Sequence, residues 1–297
     1  MSFTVEKEAI QSSTTSSKVS DYASFIKLRL ASLVVFSAVL GYMLAVPSID
    51  WTVLSILCVG GFLVTGSSNG FNQIIERDLD KLMDRTKDRP LAAGRMSVTE
   101  AFIVASLTGI VGVGMLFYLN TLTGVLGVLA LFSYVAIYTP LKRITPWAVF
   151  VGAFPGAIPP MLGWVAATGT FGLEAGILFA LQFMWQFPHF WAIAWKINDD
   201  YLKAGFKLLP SPEGRDQLSA FLILLYTLFM IASSFLPILF GMAGLGAAVV
   251  IGIAGILMLV PAINLYRKNA MKSATKLMFA SFVYIPLVLF ALYFDKL

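Results

Sequence analysis

Charge is scarce in this chain. Only 12% of its 297 residues are Asp, Glu, Lys or Arg, while 58% are hydrophobic and the mean hydropathy is +0.83. Soluble domains carry about 25% charged residues, so the balance excludes a soluble globule and makes this a membrane protein. Cysteine is nearly missing too. Cys58, alone in an apolar run, excludes a disulfide framework and a cysteine-ligated metal cluster. Histidine occurs once, as His189, so a haem held between two histidines of one chain is excluded. No GxxxxGK[ST] loop is present, which excludes a P-loop nucleotide site. The first twenty residues lack both the apolar core of a signal peptide and the arginine-rich face of a transit peptide. Residues 1–22 are therefore expected to form a short disordered cytoplasmic tail before a single transmembrane domain over residues 23–297.

Long apolar runs are what the chain has in plenty. A hydrocarbon core about 30 Å thick takes roughly 20 helical residues to cross. Segments 25–46, 51–75, 98–119, 121–139, 147–167, 172–195, 218–239, 243–264 and 275–294 meet that need. The expected fold is an all-α polytopic bundle of about nine transmembrane helices around a cavity open to the cytoplasmic side. Nine passes put every Lys and Arg except Lys296 on the side of the N-terminus. By the positive-inside rule that side is cytoplasmic, with the C-terminus outside. The net charge of +5 thus reflects topology, and no nucleic acid partner is expected.

The few charges are concentrated. In "NGFNQIIERDLDKLMDRTKDRP", residues 69–90, Asn72, Glu76, Asp80, Asp84 and Asp88 recur every fourth residue. No breaker stands between Gln73 and Lys87, so the second span is expected to run out of the bilayer as a helix until Pro90. Its oxygen atoms then lie about 6 Å apart on one face. A solvated helix end laced with i,i+3 ion pairs would show the same spacing. Against that stand Ser67, Ser68 and Asn69, polar groups at the membrane boundary that are costly against lipid and so point to a cavity. Clustered oxygens suit a hard cation such as Mg2+, which takes one or two carboxylates plus substrate phosphate oxygens. Metal ligands are therefore sought at Asn72, Glu76, Asp80 and Asp84. Arg85, Arg89, Arg95, Lys142 and Arg143 are the bases expected to bind a diphosphate.

A second polar concentration runs from Gln182 to Asp216. It holds His189 among Phe and Trp, then Asp199, Asp200 and Lys203 where the span meets water. A lone histidine is commonly a packing residue, but an ionisable group inside a membrane raises a functional role. Asp199 and Asp200 are either a helix-end pair or a second metal-binding arm. In residues 145–164, Pro155, Pro159 and Pro160 sit among glycines, a pattern that fits either a cavity wall or close helix packing.

"NQIIERDLDKLMDRTKDRPLAAG", "YTPLKRITPWAVFVGAFPGAIPPMLGW" and "WQFPHFWAIAW" followed by "DDYLKAG" together resemble the intramembrane aromatic prenyltransferases, specifically their haem-modifying branch. The resemblance runs from about Lys27 to the C-terminus. It implies a bacterial inner-membrane prenyltransferase that moves a farnesyl group from farnesyl diphosphate to the 2-vinyl group of protohaem IX, with water adding, to give haem O. Mg2+ is the implied cofactor, with haem as substrate. The lipid bilayer, and downstream haem A synthase or oxidase assembly proteins, are the implied partners. Asn72, Glu76 and Asp80 match the family's first metal-diphosphate motif, and Arg85, Arg89 and Pro90 match its tail. Asp199, Asp200 and His189 join the expected catalytic set, with Lys203 as a substrate base, and His189 is expected to meet the haem propionates or iron. The wider family spaces two aspartates four apart in its second motif, whereas here Asp199 and Asp200 are adjacent. A prenyltransferase with another aromatic or quinone acceptor, a secondary transporter and a non-catalytic haem chaperone are the alternatives.

Overall fold

The computed structural model describes residues 18–297. Most of the expected tail lies outside the described residues. Its last part does not follow the expectation, because residues 18–25 form a helix, α1. Contacts with distant residues hold it, among them Arg95 Nε donating to Asp21 at 2.8 Å, Tyr22 donating to Glu100 at 2.7 Å and Gln73 Nε2 donating to the Phe25 carbonyl at 2.7 Å.

Helix follows helix from there. α2 (Leu28–Ala45), α3 (Trp51–Asp80) and α4 (Val98–Leu119) lead to α5 (Thr121–Phe132), a π-helical turn (Ser133–Tyr138) and the short α6 (Thr139–Leu141). α7 (Ala148–Thr168), α8 (Leu173–Lys203), α9 (Gln217–Ser234), α10 (Leu236–Leu239), α11 (Leu245–Lys268) and α12 (Met271–Phe294) complete the chain. Among the described residues, eight helical segments are long and apolar enough to cross a membrane. The expected segment 172–195 is also helical, as part of α8, but is not one of the eight. Its Gln182, Gln186 and His189 are buried and face the bundle interior.

The starts of several helices follow from single residues that satisfy their unpaired amides. Asp50 accepts from the amides of Thr52 and Val53 at 2.8 and 3.2 Å. Ser97 accepts from Glu100 N, Asn120 from Thr123 N and Asp216 from Ser219 N. The prolines of α7 stay within one helix. Gly163 of α7 lies against the backbone of Ala38 and Tyr42, and Gly41 of α2 against that of Pro160, so a Cβ at either glycine would clash. Pro155, Gly156 and Pro159 line the cavity as well. Close packing and a cavity wall are therefore both present in residues 145–164.

α3 does not continue to Pro90. It ends at Asp80, and residues 81–96 form a compact series of turns. Propensity alone would extend the helix, but long-range contacts override it. Thr86 Oγ1 donates to the carbonyl of Asp80 at 2.9 Å, and Asp200 accepts from the amides of Asp84 and Arg85 at 2.8 and 3.1 Å. α8 departs from helical geometry at Ile197, where φ is −111° and ψ 19°, three residues before Asp200.

Candidate active site

α3 carries the centre of the site. Asn72, Glu76 and Asp80 stand on successive turns, each with 4% exposure or less, and line a cavity of about 470 Å³ between the helices. Charges buried to that degree need partners. Arg89 Nη1 donates to both carboxylate oxygens of Asp80 at 2.8 Å, and Lys142 Nζ sits 2.5 Å from Glu76 Oε1. Asn72 donates to Thr139 Oγ1 at 3.3 Å and accepts from Lys27 Nζ at 3.5 Å.

Four bases therefore gather at one end of the cavity: Lys27, Arg85, Arg89 and Lys142. Lys27 lies in the turn before α2, outside the span. Burial first, then the neighbouring charges of Arg89 and Lys142, push its pKa down to about 7. Burial also lowers the pKa of Lys142, opposed by Glu76. Aromatic rings hold these cations from the sides. Lys142 Nζ is 5.0 Å from the Tyr138 ring and 5.5 Å from that of Phe206, and the Arg85 guanidinium lies 5.3 Å from the Tyr201 ring. The rest of the cavity is mostly apolar, walled by residues of α2, α7, α8 and α12.

The remaining expected site residues lie elsewhere. Asp84 is exposed and pairs with Lys203 and with Lys87, whose ammonium groups hold its carboxyl down to about 2. It leaves the row of Asn72, Glu76 and Asp80 because α3 has already ended. Asp199 is also exposed and takes Arg215 Nη1 on both oxygens at 3.0 Å. Asp200 and Lys203 bind the 81–96 loop. Arg95 is occupied by Asp21 and the Asp88 carbonyl. Arg143 lines a neighbouring pocket of about 430 Å³ with Ile75, Leu79 and Glu76, the last of which also lines the central cavity. His189 does line the central cavity.

Sequence reasoning missed Lys27, Tyr134, Tyr138, Tyr201 and Ser281. Lys27 was visible only as one more topological charge. The tyrosines reach the cavity through the π-helical turn and the break in α8, neither of which has a signature in periodicity.

Asn72, Glu76 and Asp80 fit Mg2+ in the way phosphate enzymes use it, with two carboxylates and an amide oxygen on the protein side and phosphate oxygens completing the shell. Among the described residues no group of three acid, histidine or cysteine ligands forms a cage without substrate. The bases beside the carboxylates make the same demand for an anion.

An apolar chamber between membrane helices, with buried carboxylates and bases at one end, fits the class of intramembrane transferases. The pattern of the UbiA prenyltransferase family matches residues 34–284, and the chain belongs to that family. It is a prenyltransferase. It is 50% identical over 283 residues to the protoheme IX farnesyltransferase of Christiangramia forsetii, covering 94% of each chain. Among solved structures it resembles a digeranylgeranylglyceryl phosphate synthase, with TM-score 0.79 and 18% identity over 94% of this chain and 98% of that one. It also resembles a UbiA homologue from Archaeoglobus fulgidus bound to GPP and Mg2+, with TM-score 0.59 and 14% identity over 92% and 99% of the two chains. At these identities the two structures speak to the fold.

Proposed function

We propose that the protein transfers the farnesyl group of farnesyl diphosphate to the 2-vinyl group of protohaem IX, with addition of water, to make haem O. The observation that carries this is the burial of Asn72, Glu76 and Asp80, with four bases, at one end of an apolar cavity. The curated relatives' activity supports the choice of farnesyl donor and haem acceptor. The distribution of Lys and Arg supports a cytoplasmic location for the charged end.

Asn72, Glu76 and Asp80 would hold Mg2+ together with the diphosphate, and the ion would supply Lewis acidity toward the diphosphate leaving group. Arg89, Arg85, Lys142 and Lys27 take up the charge that the leaving diphosphate gains as the bond breaks and the electron pair departs with it. Arg89 and Lys142 are released from Asp80 and Glu76 for this as substrate arrives. The vinyl group's π electrons form the new carbon–carbon bond. Water then adds its oxygen to the remaining cationic carbon and gives up a proton. Before that moment the apolar walls of α2, α7, α8 and α12 keep water from the allylic cation, and the ring faces of Tyr134 and Tyr138 favour positive charge.

The test is direct. Purified protein is incubated with protohaem and farnesyl diphosphate, with Mg2+ or with EDTA, and the haems are separated by mass. Haem O formed only with the metal supports the assignment. Formation undiminished by EDTA, or in a Glu76→Ala/Asp80→Ala variant, would count against the site, and a product other than haem O against the acceptor.

A further inference from the structure

His189 lies on the cavity wall formed by α8 and α12, one side of a cluster that the transfer chemistry above leaves unused. It is 8% exposed, and its Nδ1 is 2.8 Å from Ser281 Oγ. The direction of that hydrogen bond can be worked out. A serine hydroxyl has a single proton, and Ser281 directs it to the Met278 carbonyl at 2.6 Å. Ser281 Oγ therefore accepts from His189, Nδ1 carries the proton, and the lone pair of the neutral ring sits on Nε2.

The ring is also fixed in orientation. Trp185 stacks on one face, with centroids 4.3 Å apart and planes 19° from parallel. Phe190 and Phe282 meet it edge-on at 5.4 and 5.1 Å. Ser281 holds Trp185 too, because its carbonyl accepts from Trp185 Nε1 at 2.9 Å. One fully buried serine thus sets both rings, and Nε2 has no hydrogen-bond donor among the described residues. Packing alone would not require a hydrogen-bonded tautomer lock with the second nitrogen left free. A histidine whose far N–H is tied to a protein oxygen is the arrangement that orients an imidazole toward a metal.

We propose that His189 Nε2 is the single protein ligand to the iron of the haem substrate, and that Ser281 is a positioning residue that sets its tautomer and direction. This rests on the haem acceptor argued above. An imidazole nitrogen is a common proximal ligand for haem iron. The surrounding rings of Trp185, Phe190 and Phe282 offer the apolar surface that a porphyrin face needs. Ligation at one fixed nitrogen pins the centre of the macrocycle, so one edge can be presented to the charged end of the cavity. A flat, otherwise greasy substrate gains a defined position from one coordinate bond.

The experiment uses the full chain in lipid nanodiscs, loaded with ferrous protohaem and examined by resonance Raman and absorption spectroscopy. The wild type should show an iron–histidine stretch. His189→Gly should lose that band and regain an iron–imidazole band on addition of imidazole. Ser281→Ala should keep the ligand but shift the band and weaken haem binding about tenfold, the usual scale for loss of an outer partner of a metal ligand. A His189→Gly spectrum identical to the wild type would overturn the proposal, as would a Ser281→Ala band unchanged in frequency and affinity. Parallel assays with farnesyl diphosphate keep the two conclusions apart. Haem O production by a wild type that shows no iron–histidine band overturns the ligation alone. A wild type that neither binds haem nor makes product overturns the haem reading and the ligation with it.

Discussion

Asp80 and Arg89 form a buried ion pair of the site, the side chains being 1% and 17% exposed. Removing one member of such a pair strands the other charge, which costs about 3–5 kcal/mol. Arg89→Ala is accordingly expected to lower kcat/KM for farnesyl diphosphate by about 100-fold or more, close to 3 kcal/mol. Steady-state kinetics check this, and an effect smaller than about threefold would remove Arg89 from diphosphate binding. Lys27 leads to a pH prediction. Its free-state pKa is depressed to about 7, and a bound diphosphate would raise it. Binding then takes up a proton above pH 7, so affinity is greatest below pH 7 and falls as pH climbs from there toward the pKa of the complex. The ligand titrates as well, so the quantity to measure is the ratio of wild-type to Lys27→Met affinity for magnesium pyrophosphate. That ratio should decline between pH 7 and 9, whereas the ratio of Lys27→Arg to Lys27→Met should stay level. At this scale Asn72, Glu76 and Asp80 were legible, because a four-residue spacing fixes a helix face without tertiary information. Lys27 was not, since burial of its ammonium depends on α2, α3 and the segment around Lys142 coming together.

Helix boundaries decide which members of the acidic stripe share a site. Periodicity carried the stripe through Asp84 and Asp88, and locally nothing contradicts it: the stretch has no Gly or Pro until Pro90. α3 stops because Asp200 captures the amides of Asp84 and Arg85, a contact between residues more than a hundred positions apart. Tyr201, the next residue, receives Arg85 Nη2 on its hydroxyl at 3.4 Å. The end of α8 therefore acts as a latch on the loop that delivers Arg85 and Arg89. The adjacent aspartates point different ways: Asp200 faces the loop while Asp199 turns out to Arg215. Two consequences can be measured. On the proposal that the buried carboxylates hold Mg2+, Asp84→Ala should leave the Mg2+ concentration for half-maximal activity within about twofold of wild type, while Glu76→Gln should raise it clearly. Asp200→Ala should speed tryptic cleavage after Arg85 or Lys87 by about tenfold, from the loss of two charge-assisted hydrogen bonds that hold the loop shut. A large rise in Mg2+ requirement for Asp84→Ala, or unaltered cleavage of Asp200→Ala, would return these residues to the role of metal ligands.

Across the whole molecule, hydropathy made the succession of helices legible, with most ends within a few residues, because length and apolarity answer directly to bilayer thickness. The segment that scores least apolar, in α8, owes this to the glutamines and histidine that it turns into the cavity. Lys296 was the one base that charge asymmetry left on the far side, and its purpose could not be read from sequence. Its Nζ donates to the carbonyls of Met43 and Val46 at 3.1 and 2.7 Å, satisfying the end of α2. Next to it the Asp295 carboxylate accepts from Ala247 N at 2.7 Å, and Gly244 N donates to the Asp295 carbonyl at 2.9 Å, so the start of α11 is satisfied as well. The C-terminal residues thus clasp α2, α11 and α12 at the end of the bundle opposite the charged mouth. Lys296→Met keeps most of the aliphatic stem but removes two charge-assisted hydrogen bonds, worth about 1.5–3 kcal/mol each before solvent screening reduces them. The expected result is a melting temperature lower by roughly 3–8 °C in detergent, at about 2–4 °C per kcal/mol for a chain of this size. Because the clasp touches no cavity residue, kcat and KM measured well below the transition should stay close to wild type. Lost activity in a fully folded Lys296→Met protein would mean that the far end of the bundle communicates with the diphosphate site, and an unshifted melting curve would mean that α2 and α11 are held by their packing alone.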